Sequence, residues 1–223
     1  MTAAGIHRAP PGTAPGRTTA WPGGGVLRMS WLYLVSRRIP VALGLLAAAG
    51  VLLWAALDQR WNIAGGAAAR QIIPLTIEAG AAAIIAVTTY GPFGETERAA
   101  GRWLPWLRLA AALALTAIAV GTLAAGATGG HLPGGTVAML RNLAGLTGTG
   151  LLAAAALGGA FGWTGPLAYL LVTEGALAGA WTTPWMWAAR PPHDRGAAIC
   201  AAAVFAAATA VITVRGGRDR AAR

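Results

Sequence analysis

The chain contains no lysine: all 17 of its basic residues are arginine. That absence excludes a P-loop, whose lysine reaches the nucleotide phosphates, and it excludes Schiff-base and Ser-Lys chemistry. Acidic residues number only seven, and charged residues make up 11% of the 223, far below the share that solvates the surface of a soluble domain. One cysteine, Cys200, rules out an internal disulfide. His7, His131 and His193 are scattered without CxxC or HExxH spacing, so they read as structural or surface residues, and no metal or cofactor is expected. No Ser/His pair or paired-carboxylate constellation stands at catalytic spacing, so the chain does not read as an enzyme.

What is present is apolar. Hydrophobic residues account for 56% of the chain, mean hydropathy is +0.58, and the apolar positions gather into runs close to the roughly 20 residues that cross a bilayer. The composition predicts an all-α integral membrane protein. The net charge of +10 could suggest nucleic acid, but the arginines lie between apolar runs rather than along a basic stripe, which is the pattern of the positive-inside rule. No nucleic-acid partner is expected.

Six spans are predicted, at about 39–57, 71–90, 107–126, 136–161, 167–180 and 197–214, within a transmembrane domain covering 26–214. Residues 1–25, rich in Pro, Gly and Thr, read as a disordered cytoplasmic tail, and 215–223 as a basic one. Val26–Arg38 reads as a short amphipathic helix on the cytoplasmic face, with Trp31 and Tyr33 at headgroup level. The Trp-rich stretch Trp181–Arg195 reads as an outer-interface segment before the last span. With both termini inside, twelve arginines fall on the cytoplasmic side and three, Arg60, Arg190 and Arg195, on the outer side. That asymmetry sets the expected orientation of a multi-pass plasma-membrane protein.

Five polar residues interrupt the apolar runs: Arg70 and Glu78 in the second, Arg141 and Asn142 in the fourth, and Glu174 in the fifth. An ionised side chain at the bilayer centre costs about 2.5–3.5 kcal/mol on insertion scales, so such groups face the bundle interior and find partners. They could line a substrate or ion route, or form interhelical salt bridges. Arg70 and Arg141, near the outer ends of their spans, could also snorkel to water. Glu78 and Glu174 lie deeper, so at least one is expected to be protonated or paired with arginine. Gly145, Gly148 and Gly150 make the fourth span a close-packing helix. The fragment around Gly148 and Gly150 lacks the strand a dinucleotide fingerprint requires.

The amphipathic segment Val26–Arg38, the loop PFGETERAAGR at Pro92–Arg102, the run RNLAGLTG at Arg141–Gly148 and the outer segment Trp181–Arg195 together resemble an ABC-2 type transporter permease, in its compact actinobacterial six-span form. The resemblance covers about Val26 to Val214 and implies a subunit without ATPase activity, acting as a homodimer or as a heterodimer with a second permease. It would export an amphipathic or drug-like substrate with energy from a cytosolic ATP-binding subunit. The coupling contacts with that subunit would be Phe93, Gly94, Glu95, Thr96, Glu97 and Arg98. The competing expectation is a non-transporting scaffold or accessory subunit of a larger membrane complex.

Overall fold

The computed structural model describes residues 38–58, 66–88, 104–179 and 183–215. The amphipathic segment (apart from Arg38), both tails, the loop carrying Phe93–Arg98, Trp181 and the side chain of Arg70 lie outside the described residues. Within them the chain forms six α-helices, α1 Ile39–Asp58, α2 Gly66–Thr88, α3 Leu104–Gly126, α4 Gly135–Leu157, α5 Thr164–Gly179 and α6 Arg195–Arg215, with short 3-10 turns at Ala127–Gly129, Gly159–Phe161 and Trp187–Ala189. No strand occurs among the described residues.

Five of these helices are long and apolar enough to cross a membrane: α1, α2 from Gln71, α3 from Arg108, α4 and α6. They coincide with five of the six expected spans. The other helix, α5, stands where the fifth span was expected, but its 16 residues rise only about 24 Å against a hydrocarbon core of about 30 Å. The expected fourth span also shortens at its far end. Gly158 takes a φ of 105°, open to glycine alone without strain, and its amide caps α4 by donating to the Ala154 carbonyl. The 3-10 turn Gly159–Phe161 then leads into α5.

Helix α4 is the centre of the bundle, packed against α2, α5 and α6. Twelve of its 23 residues are buried, against five of 20 in α1. Its sequence explains this position, because small residues let neighbouring backbones close in. A Cβ at Gly148 would stand 2.8 Å from the Phe205 nitrogen of α6, and one at Gly150 would stand 2.8 Å from Ala86 of α2. A second close pair joins α1 to α3, where Gly50 and Gly126 each lie against the other helix's backbone.

The remaining polar groups of the helices are mostly satisfied locally. The hydroxyls of Thr76, Thr116, Thr173 and Thr209 donate to carbonyls four residues earlier in their own helices, the arrangement a low-dielectric surrounding requires. Pro74 sits inside α2, a break in the backbone ladder that membrane helices tolerate when neighbours enclose it.

Candidate functional site

The polar residues expected on α2 and α4 come together in the core. Glu78 is 3% exposed, and Arg141 and Asn142 are 6% exposed. On α2, Gln71 and Glu78 are seven residues apart and therefore share a face. Asn142 is the hydrogen-bonding neighbour of the Glu78 carboxyl, and Arg141 is its cationic neighbour. Glu174 does not join them; its side chain lies on an exposed face of α5.

Above this pair the connection between α5 and α6 folds inward. The segment Trp181–Arg195 was expected to lie at the outer interface, and Trp185 is exposed, but Met186, Trp187 and Ala188 are buried. The Trp187 indole stacks on Tyr169 of α5, with ring centroids 4.3 Å apart and planes 12° from parallel. It occupies the space left by Gly145 on α4, where any Cβ would overlap the indole ring. The insertion is possible because its backbone groups find partners in the interior.

Those partners come from three helices. The Arg141 guanidinium donates to the Pro191 carbonyl at 2.7 Å and the Arg190 carbonyl at 3.1 Å. The Ala188 amide donates to the Tyr169 hydroxyl at 3.2 Å, and that hydroxyl donates to the Trp185 carbonyl at 3.4 Å. Gln71 donates from Nε2 to the Ala188 carbonyl at 3.4 Å. Arg141 therefore does not snorkel, and among the described residues it forms no interhelical salt bridge; it fixes the inserted segment through main-chain carbonyls. Among the described residues, Glu78 makes no ion pair.

No family model, curated protein or solved structure matches this chain. The permease resemblance thus stands on sequence features alone.

The end of the inserted segment is also anchored. Asp194 Oδ1 accepts the Ala197 amide at 2.9 Å, capping α6, while Oδ2 accepts hydrogen bonds from Arg190 in an ion pair. The capping amide, and then Arg190, hold the Asp194 carboxyl below the usual aspartate range.

Several atoms of this centre have no partner: Glu78 Oε2, Asn142 Oδ1, Arg141 Nε, Trp187 Nε1 and Thr147 Oγ1. Buried polar atoms in folded proteins are nearly always hydrogen-bonded, so a concentration of orphans marks a place where a ligand, water or proton belongs. Among the described residues no group of three or more His, Cys, Asp and Glu could hold a metal ion. An open groove of about 310 Å³ between α1 and α3, lined by Ala47, Gly50, Val51, Trp54, Thr122, Ala125 and Gly126, carries no ionisable group.

Sequence reasoning missed Gln71, Tyr169, Trp187 and Thr147. Tyr169 offered a signal, as a tyrosine inside the mostly apolar fifth run. Trp187 offered none that separates it from Trp185.

Proposed function

We propose that the chain is the membrane-spanning permease subunit of an ABC-type transporter. In this reading α5 is the fifth of six spans, both termini are cytoplasmic, and a separate ATP-binding subunit drives export of an amphipathic or drug-like substrate. The observation that carries the reading is the enclosure of Glu78 and Arg141 between helices apolar enough to cross a bilayer. Ionisable residues are retained at such depth chiefly where they serve a route or a moving part. The absence of lysine supports it from another side, because energy coupling then has to come from a different polypeptide. Arg141 and the segment it holds are the moving part of this reading, a closure on the outer side of the bundle.

One observation favours the second reading, a non-transporting scaffold or accessory subunit. The centre is packed tight, with Trp187 fitted against Gly145 and Thr147 wholly buried.

Purification of the full chain from its native membrane separates the two. The permease reading expects a cytosolic ATPase to co-purify and to be lost when Glu95 and Glu97 are both replaced by Ala. A stable complex with unrelated membrane proteins and no ATPase overturns it. Cysteines placed at Thr96 and Gly130 in a Cys200→Ala background should label from the inside and outside respectively. Exterior labelling at Thr96 would defeat both the orientation and the coupling loop.

A further inference from the structure

We infer that Glu78 and Asn142 form a proton-binding site in the bundle interior, in which the protonated Glu78 carboxyl donates a hydrogen bond to the Asn142 amide oxygen. The inference rests on the membrane-spanning architecture and not on the permease reading, so either can fail without the other.

The depth of the site comes first. At 1.5 Å per residue, Glu78 lies about 10 Å along α2 from Gln71 and about 15 Å from Thr88, well inside the apolar stretch Gln71–Thr88. Glu78 is buried, as are Leu75, Ala79 and Ala82 on the same helix, and that helix packs against α4. Glu78 Oε2 and Asn142 Oδ1 are both acceptors, both buried, and both without a donor, although their side chains are hydrogen-bonding neighbours. Two orphan acceptors on neighbouring side chains are resolved by adding one donor hydrogen. A proton on Oε2 turns one acceptor into a donor for the other and removes the buried charge in the same step. Turning the Asn142 amide over would supply a donor as well, but it would leave a carboxylate in the apolar interior without a paired cation.

Arg141 does not supply that pairing. Its two terminal amino groups are directed to the Pro191 and Arg190 carbonyls. On the elements packed against α2, the titratable or charged groups are Asp58 on α1, Arg108 on α3, Arg141 on α4, and Tyr169 and Glu174 on α5. Of these only Arg141 acts electrostatically on Glu78. Tyr169, Asp194 and Arg190 in turn act on Arg141. The chemistry is a simple protonation: the carboxylate takes one proton from hydronium, so one O–H bond forms on Glu78, one O–H bond of the hydronium breaks and a water molecule is released.

Infrared spectroscopy of the full chain in lipid nanodiscs tests this at about pH 7, where an ordinary glutamate is ionised. The expected result is a protonated-carboxyl C=O band that is lost in Glu78→Gln, persists in Glu174→Gln, and moves to higher frequency in Asn142→Leu as its hydrogen-bond acceptor disappears. Asn142→Leu retains Glu78 and carries the test if Glu78→Gln fails to assemble. Absence of the band in the wild-type chain overturns the inference. So does its survival in Glu78→Gln, or an Asn142→Leu spectrum identical to that of the wild type.

Discussion

Replacing Gly148 with alanine probes the central contact of the bundle with a single methyl group. A Cβ at this position would lie 2.8 Å from the nitrogen of Phe205, and 2.9 Å from both the Phe205 Cα and the Val204 carbonyl carbon. Carbon atoms settle at about 3.5–4.0 Å, so α4 and α6 have to part by about 0.7–1 Å, a gap that forfeits a quarter to a half of the dispersion energy of each contact it opens. All three obstructing atoms are main chain, so no change of rotamer relieves the overlap. Overpacking of this kind costs about 1–3 kcal/mol. Opposing it, alanine is the better helix former by about 0.5–1 kcal/mol. The net expectation for Gly148→Ala is a loss of about 1–2 kcal/mol. Gly121 on α3 and Gly80 on α2 provide the control, because nothing lies within 4 Å of a Cβ at either. There only the propensity gain remains, and Gly121→Ala and Gly80→Ala should be neutral or slightly stabilising. Reversible unfolding in mixed micelles, followed by circular dichroism, measures all three. A Gly148→Ala chain as stable as the wild type, or a Gly121→Ala chain equally weakened, would refute the reasoning.

Three further expectations concern the inserted segment. Trp187→Ala removes the ring stacked on Tyr169 and should cost about 3–5 kcal/mol, whereas Trp187→Phe keeps an aromatic ring and removes the unpartnered indole N–H, so it should cost far less; equal losses in unfolding experiments would contradict the stacking role. Arg141→Lys replaces a fork that reaches two carbonyls with one ammonium group, and the loss of a charge-assisted hydrogen bond should cost about 1.5–3 kcal/mol, read as faster proteolysis within residues 183–194 if the segment loosens. Asp194 has its carboxyl held below the ordinary range, so its contribution is complete above the unfolded value of about 3.9 and disappears as pH falls through the lower folded value. The melting temperature of the wild-type chain should therefore drop more steeply below about pH 4 than that of Asp194→Asn; parallel curves would dismiss the capping and ion-pair account.

The helices were legible because a membrane leaves the backbone little choice: apolar runs of the right length must close their hydrogen bonds internally. The boundaries of α1 and α6 fall within two residues of expectation. The positions of Glu78 and Asn142 were legible too, since they interrupt runs that hold few other polar side chains, but their pairing was not, because the sequence points to arginine as the partner of a buried glutamate. What the sequence does not carry is the partner of Arg141. Its hydrogen bonds go to main-chain carbonyls 49 and 50 residues away, and a carbonyl has the same signature at every position. Trp187 is hidden for a related reason. Tryptophan favours interfaces in general, and only the vacancy at Gly145, 42 positions earlier in the chain, turns one member of the Trp-rich segment inward while Trp185 stays exposed.

The surface and the core together argue for the solvent in which this fold is stable. Val51, Leu52, Ile199 and Val214 are more than half exposed, while Glu78, Arg141 and Asn142 are enclosed. In water this distribution would leave apolar surface solvated along whole helices, a penalty with no compensating term, in addition to ionisable groups stripped of hydration. In a bilayer the first penalty vanishes, because lipid chains are as apolar as the exposed side chains. The second persists, and it is met by structure: Arg141 by carbonyls of the inserted segment, and Glu78 by Asn142 and the proton assigned to it. Association of the helices then depends on close contact rather than on hydrophobic burial, which is why alanine and glycine dominate the chain and why the contacts at Gly50, Gly126, Gly145 and Gly148 admit no added methyl group.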